Sequence, residues 1–241
     1  MDKLQDKVAL ITGGTKGIGF GIAECLMAEG IHVAITGRQE SAALEAAEKL
    51  NSDSKTGAKA IGLEADVRNY DSQKQAVNKV LDTFGQLDIV VANAGIGHFA
   101  SIEDLEPQQW QDTIDTNLTG AFYSIKASVE ALKKSKGYYI TISSLAGANF
   151  FANGSAYNAS KFGVTGFTQA VMLDLRQYGV KVSTIMPGSV STYFNGKTPD
   201  SSSDWKIQSE DIGELVVDLL KMNPRTLPSK IEVRPTMPPS K

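Results

Sequence analysis

The amino-acid sequence predicts an α/β protein: one doubly wound, seven-stranded parallel sheet with helices on both faces. Three observations carry this. Short β-branched apolar runs alternate with longer helical patterns along the whole chain, as repeated βαβ units require. Most of these runs are continuously apolar and have no wet side, so both sheet faces must be covered. The 241 residues hold no internal repeat, no low-complexity tract and no linker, at a length that α/β folds reach as one domain.

In order, the strands are expected at Val8–Thr12, Val33–Gly37, Ala60–Glu64, Ile89–Asn93, Tyr138–Ser143, Val180–Met186 and Ile231–Val233. A glycine turn and a helical pattern follow the first strand. From Asn117, the positions Leu118, Phe122, Ile125, Val129 and Leu132 form one apolar helical stripe. After Tyr157, a second stripe runs through Val164, Phe167, Val171 and Leu175 and should stop at Gly179. The pattern leaves two readings open: both stripes face the sheet, or they add a second apolar face for a partner subunit. Asn51–Gly57 and Thr198–Asp204 are rich in polar residues and read as surface loops, and the tail 235–241, with three prolines, as neither helix nor inner strand.

Composition removes several functions. With 24 Lys and Arg against 27 Asp and Glu, the net charge is −3, which offers no basic field to a nucleic acid or an anionic membrane. One cysteine, Cys25, and two histidines give no intrachain disulfide and no zinc-ligand spacing, so no metal site is expected. No apolar stretch approaches the ~18 residues of a membrane span. The N-terminus has only a short apolar run, preceded by acids, and reads as the approach to a strand; the expected compartment is cytoplasmic.

The first strand leads into Thr12-Gly13-Gly14-Thr15-Lys16-Gly17-Ile18-Gly19 and then into a helix. Glycines between a strand and a helix let a phosphate approach the backbone N–H groups of a helix N-terminus, where the dipole favours an anion. The motif lacks the Gly-Lys-Ser/Thr ending of a nucleoside-triphosphate loop. Where the second strand ends, an NAD site would show a carboxylate for the ribose, but here the chain reads Thr36-Gly37-Arg38. Lys16 and Arg38 are either solvated surface charges or, as ends of adjacent strands, a site for the ribose 2′-phosphate. The second reading points to NADP(H).

Tyr157 and Lys161 stand at i and i+4 and so share a helix face, and Ser143 and Ser144 fall at the end of the fifth strand, where parallel sheets hold ligands. Carbonyl reduction needs a proton donor and a group to hold the carbonyl oxygen. A tyrosine that switches at neutral pH must be held well below its ordinary value near 10, a stabilisation of ~4 kcal/mol, for which Lys161 and an oxidised nicotinamide are the available sources. No G-x-S-x-G elbow is present. His32 reads as a strand-end residue without a role, and His98 as a plain loop residue, with lining of the substrate mouth as the alternative.

Taken in order, TGGTKGIG at 12–19, Asp66, Asn93-Ala94-Gly95, Asn117, Ser144, Tyr157, Lys161 and Pro187-Gly188 resemble the short-chain dehydrogenase/reductase family in its compact-subunit form, over nearly the whole chain. The resemblance implies a Rossmann-type fold and a tetrad. Tyr157 is then the acid/base, Lys161 lowers its pKa and binds the nicotinamide ribose, Ser144 polarises the carbonyl, and Asn117 holds a water linking Lys161 to solvent. With the glycine turn and the second strand end read as above, Gly13, Thr15, Lys16, Gly17, Ile18, Gly19 and Arg38 are the residues expected to bind the cofactor phosphates; the resemblance adds the rest of the cofactor site. Asp66 and Val67 would meet the adenine, Asn93, Ala94 and Gly95 pack beneath the cofactor, and Pro187, Gly188, Val190 and Thr192 meet the nicotinamide side.

The function so implied is an NADP-dependent oxidoreductase reducing a small ketone or aldehyde, or oxidising a secondary alcohol or 3-hydroxy acid, assembled as a homotetramer or homodimer. Two alternatives stand beside it. One is a 3-oxoacyl-carrier reductase, against which the C-terminal segment from Ser229 departs from the Asp- and Gly-rich ending of many such enzymes. The other is a non-catalytic NADP-sensing module, which would be expected to have lost part of the tetrad.

Overall fold

Alternation along each strand decides which helices lie on which side. Successive side chains of a strand point to opposite faces, and in β1 (Val8–Thr12) this sends Ala9 and Ile11 one way and Val8 and Leu10 the other. A computed structural model describes residues 4–238; residues 1–3, and 239–241 of the proline-rich tail, lie outside the described residues. The remaining strands are β2 (His32–Gly37), β3 (Ala60–Glu64), β4 (Ile89–Ala92), β5 (Tyr138–Ile142), β6 (Lys181–Pro187) and β7 (Lys230–Val233). All seven are parallel, in the order β3-β2-β1-β4-β5-β6-β7.

One face of the sheet is covered by α1 (Gly17–Ala28), α2 (Glu40–Asp53) and α7 (Ser209–Lys221), which bury Ile22, Leu26, Leu50, Ile212 and Val216 against Ile11, Ile35 and Ile140. The other is covered by α3 (Tyr70–Phe84), α5 (Gly120–Ser135) and α6 (Ser155–Leu175), which bury Val77, Val80, Ile125, Leu132 and Val164 against Leu10, Val90 and Tyr139. Each of these large apolar side chains contributes about 1.5–3 kcal/mol on burial. Among the described residues, no helix is long and apolar enough to cross a membrane.

The doubly wound parallel sheet and all seven strands appear as expected, with boundaries within one residue. The helices differ more. The helix expected from Asn117 begins ten residues earlier, as α4 (Pro107–Ile114), and passes through a π-helical turn, Asp115–Thr119, into α5. Pro107 at its first position and Gln109, whose side chain accepts from the Glu106 N–H at 3.1 Å, are start signals present in the sequence. Asn51–Gly57 is not wholly loop, because α2 runs on to Asp53.

The two stripes follow neither expected reading alone. Ile125, Leu132, Val164 and Leu175 are buried, but close approach to the sheet is made by small hydroxyl residues: Ser124 meets the Tyr139 hydroxyl at 3.2 Å and Thr168 meets Thr141 at 2.9 Å. Leu118, Val129, Phe167 and Val171 are half-buried, and Phe122 stays 42% exposed while its ring meets Phe167 edge-on. The stripes lie along the flank, between sheet and solvent. Gly179, at φ 76°, ends the second helical segment as its glycine suggested.

Seating α2 on β3 depends on the missing side chain of Gly62. A Cβ there would collide with the backbone carbonyl of Ala43, and backbone cannot yield as a side-chain tip can. Gly62→Ala should therefore lift α2 and destabilise the fold by ~1–3 kcal/mol, lowering Tm by several degrees. An unchanged Tm in thermal unfolding followed by circular dichroism would show that α2 does not rest on β3.

Candidate active site

The strand order reverses between β1 and β4, and connections leaving these two strands in opposite directions open a crevice at their carboxyl ends. Its floor is tied together by Thr12 and Asn93. The Asn93 side-chain amide donates to the carbonyl oxygens of Thr12 (3.0 Å) and Gly13 (2.9 Å). The Thr12 hydroxyl in turn accepts from the backbone N–H groups of Asn93 (3.1 Å) and Ala94 (3.2 Å). Gly19 belongs to this packing, since a Cβ on it would sit 2.5 Å from the Asn93 amide nitrogen and 2.6 Å from the Gly13 oxygen.

One end of the crevice suits an anion. Gly13 and Gly17 take left-handed conformations (φ 63° and 59°) that bring the turn into α1, whose N-terminus has no side-chain cap and no acidic residue in its first turn. Its N–H donors are thus left for a ligand, with the helix dipole behind them. Among the described residues, neither Lys16 nor Arg38 pairs with a carboxylate; the Lys16 Nζ lies 5.7 Å from the centroid of the Tyr193 ring. Gly37 presses on Thr15 so closely that a Cβ would lie 2.7 Å from the Thr15 methyl. Asp66 is engaged by Arg68, with Nη2–Oδ2 at 2.7 Å and Nε–Oδ1 at 3.1 Å, and the same guanidinium lies 3.8 Å from Asp112 on α4. Those hydrogen bonds hold the Asp66 carboxyl below the usual carboxylate range, against the effect of its partial burial. The sequence reading missed Arg68, although its place two residues after Asp66 was visible.

The other end carries the chemistry. β5 ends at Ile142, and the chain turns sharply through Leu145–Gly147, where a Cβ on Gly147 would lie 2.5 Å from the Thr165 hydroxyl on α6. This seats Ser144 beside Tyr157. The neighbouring Ser143 is turned inward, its hydroxyl donating to the Lys161 carbonyl (3.1 Å) and meeting Thr165 (3.0 Å). One helical turn separates Tyr157 from Lys161, which is buried and donates from Nζ to the Ile142 carbonyl at 2.9 Å. Desolvation lowers the Lys161 pKa from 10.5 to about 8.

Burial raises the Tyr157 pKa above the ordinary phenol value, and the protein group that opposes this is the Ser144 hydroxyl, not Lys161, whose Nζ is 5.7 Å from the ring centroid. Asn117 is placed in the π-helical turn. Its amide donates to the Ile96 carbonyl and the Ser160 hydroxyl (both 2.9 Å), and its Oδ1 accepts from the Ile96 N–H (2.8 Å). It braces the loop after β4, with both N–H donors used within the protein.

A single cavity of about 1090 Å³ joins the two ends. Gly13, Thr15, Lys16, Gly17, Ile18, Arg38, Asp66, Val67, Asn93, Ala94, Gly95, Ser144, Tyr157, Lys161, Pro187, Gly188, Val190 and Thr192 all line it, whereas Gly19 and Asn117 stand behind its wall. His98 lines it too, so the substrate-mouth alternative fits its position better than the plain-loop reading. His32 lies elsewhere, stacked on Phe84 with its Nδ1 accepting from the Lys59 N–H at 2.9 Å, which makes it a brace between β2 and β3. Phe99 and Phe194 meet the Tyr157 ring and Phe151 packs on Phe99, a feature the sequence reading did not contain. Among the described residues, no three His, Cys, Asp or Glu side chains gather to hold a metal ion.

The sequence profile of the family described as short chain dehydrogenase matches residues 7–202. The chain is 41% identical over 194 residues to trans-4-hydroxycyclohexanecarboxylate dehydrogenase of Sinomonas cyclohexanicum, covering 79% of this chain and 75% of that protein. It is 35% identical to an uncharacterized oxidoreductase of Staphylococcus saprophyticus, over 98% of this chain and all of that one. Among solved structures, an alcohol dehydrogenase from the archaeon Thermococcus sibiricus, complexed with 5-hydroxy-NADP, superposes with a TM-score of 0.90. It is 29% identical, with 98% of this chain and 99% of that chain covered.

Keeping the buried Lys161 charged costs stability. Its folded pKa, about 8, lies below the unfolded value of 10.5, so between these limits the unfolded chain binds more protons and stability rises with pH. The cost is fully present below the folded value, at about 3 kcal/mol, offset by about 1 kcal/mol from the bond to Ile142. Lys161→Met should therefore melt a few degrees above the wild-type chain near pH 7, with the difference shrinking towards about pH 10. Equal Tm values across that range would mean that water reaches the ammonium.

Proposed function

The chain belongs to the short-chain dehydrogenase/reductase family, and from that premise we propose that it is an NADP(H)-dependent enzyme. It reduces a small ketone or aldehyde, or in reverse oxidises a secondary alcohol or 3-hydroxy acid. The observation that carries this reading is the shared cavity: at one end an uncapped helix N-terminus and the cations Lys16 and Arg38, without carboxylate partners among the described residues, and at the other Ser144, Tyr157 and Lys161. The relative named for an alcohol substrate and the neighbour complexed with an NADP derivative support it.

The residues fit a 2′-phosphorylated dinucleotide. The α1 N-terminus offers N–H donors for the diphosphate, and Lys16 and Arg38 offer charge for the 2′-phosphate. Asp66, neutralised by Arg68, does not repel it. When bound, the reduced dinucleotide supplies a hydride to the carbonyl carbon. Tyr157, as a phenol, gives its hydroxyl proton to the carbonyl oxygen. Ser144 donates a hydrogen bond to that same oxygen as negative charge grows on it. Lys161, charged at neutral pH and fixed by Ile142, places a positive field beneath the phenol and contacts the ribose.

The non-catalytic alternative is disfavoured by the intact Ser144, Tyr157 and Lys161 at one end of the cavity. A carrier-bound 3-oxoacyl substrate is the second reading, against which residues 229–236, including β7, lack the Asp- and Gly-rich composition that the family resemblance links to it. Trp110, Phe122, Phe162 and Leu173 remain exposed on α4, α5 and α6, which supports association through that flank into a homo-oligomer. Light scattering should give a multiple of 25.8 kDa; a monomer at micromolar concentration would refute the association.

Tyr157→Phe should lower kcat by ~10²–10⁴-fold with NADPH affinity preserved; more than about a tenth of wild-type turnover would remove Tyr157 from the acid role. Because reduction uses the phenol and oxidation the phenolate, alcohol oxidation should accelerate from about pH 7 to about pH 10 while ketone reduction does not. Arg38→Ala should cut kcat/KM for NADPH at least about tenfold at low salt and leave NADH nearly unaffected. Equal use of both cofactors by the wild-type enzyme would place Arg38 in solvent.

A further inference from the structure

Phenyl rings from three distant parts of the chain cluster beside Tyr157, and two of them meet its ring. Phe99, in the loop after β4, lies 5.4 Å from it between centroids, and Phe194, in the segment after β6, lies 5.8 Å away. Phe99 also meets Phe194 edge-on at 6.3 Å and Phe151, just before α6, at 6.0 Å. These are the offset and tilted geometries in which aromatic rings attract. Yet the cluster is not a core: Phe99 is 40% exposed and Phe151 49%. Large apolar rings left open beside a reactive hydroxyl form a wall that a ligand can complete.

The wall is held in place by the backbone. A bridge between Ala100 and Gly154 fixes the Phe99 loop to the start of α6, hence to Tyr157. Gly97 approaches so closely that a Cβ there would lie 2.8 Å from both the Phe99 and Phe194 ring tips. The segment bearing Phe194 is closed at its base, where Ser191 N–H donates to the Ile207 carbonyl (2.8 Å) and Ile207 N–H to the Ser189 carbonyl (3.1 Å). Polar groups for a carbonyl oxygen, Ser144 and the Tyr157 hydroxyl, therefore stand beside rings that supply apolar faces and edges and no charge.

We propose, on the footing of the reductase reading above, that the preferred substrates are ketones whose carbonyl is borne on or within a six-membered carbon ring, with Phe99 and Phe194 determining that preference. The carbonyl oxygen meets Ser144 and Tyr157 while the substrate ring lies against the two phenyl groups. An unbranched chain of equal carbon number offers no flat face and loses more freedom on binding.

Acetophenone and 2-octanone, which have equal carbon counts, and acetoacetate separate these properties. The wild-type enzyme should prefer acetophenone to both by at least about tenfold in kcat/KM. Phe99→Ala and Phe194→Ala should each reduce the preference over 2-octanone by at least about threefold, through KM for acetophenone; Phe99→Leu, which keeps apolar bulk, controls for folding. As a readout independent of turnover, saturation-transfer NMR on Tyr157→Phe with NADPH should show transfer to the acetophenone ring protons, lost on adding Phe99→Ala. Turnover of 2-octanone or acetoacetate as fast as acetophenone overturns the ring preference and leaves the reductase reading standing. Turnover of none of the three with NADPH or NADH overturns that reading; the NMR then decides ring binding alone, which absent transfer overturns and Phe99-dependent transfer supports.

Discussion

The carbonyl oxygens of Thr12 and Gly13 leave the sheet where β1 and β4 part, and the side-chain amide of Asn93 receives both. A carbonyl stranded at that depth without a partner costs about 1–3 kcal/mol. Asparagine meets the need because one amide nitrogen carries two donors, whereas an aspartate would set its charge against two oxygens. Several neighbouring residue choices follow from this contact: Thr12 returns bonds to the turn after β4, and Gly19 is bare because the Asn93 amide fills its space. The glycine turn and the loop after β4 are thereby one rigid floor.

From that floor the cavity divides by the solvation of its charges. At one end, Lys16 and Arg38 are exposed and, among the described residues, have no carboxylate partner, so their fields are available. At the other, Lys161 has been taken out of water at an energetic cost that the single bond to Ile142 does not offset. A costly cation kept beneath a tyrosine is the kind of local strain that accompanies chemistry in a fold otherwise built for packing. The π-helical turn that carries Asn117 is of the same kind, an irregularity that aims one amide at the backbone of Ile96.

The sheet was legible because continuous β-branched runs between helical patterns leave little else for them to form, and each strand end fell within a residue of its expected place. The residues lining the cavity were legible through the glycine turn and the positions that match the family. Less visible was whatever depends on two groups meeting in space. Arg68 stands two residues from Asp66, but only the turn after β3 shows that it neutralises it. The aromatic wall draws on residues 99, 151 and 194, and nothing in their spacing foretells that they share a surface. Lys161 and an oxidised nicotinamide were the sources expected to lower the Tyr157 pKa; the opposing effect of burial is one that sequence spacing does not reveal. The start of α4 is a different case, since Pro107 and Gln109 carried the signal and the apolar stripe further on drew attention from it.

The contact between Gly37 and the Thr15 methyl bears on how such a site changes over generations. A carboxylate at residue 37 would suit a ribose hydroxyl, but it enters through a Cβ for which Thr15 leaves no room. Substitution at 37 therefore requires the Thr15 side chain to shift and comes more easily where 15 has already become smaller, while position 38 faces the cavity without that constraint. Drift in the charge of this pocket would thus be ordered: descendants altered first at 38 or 15 are reachable by single steps, and those altered first at 37 pass through a weakened fold.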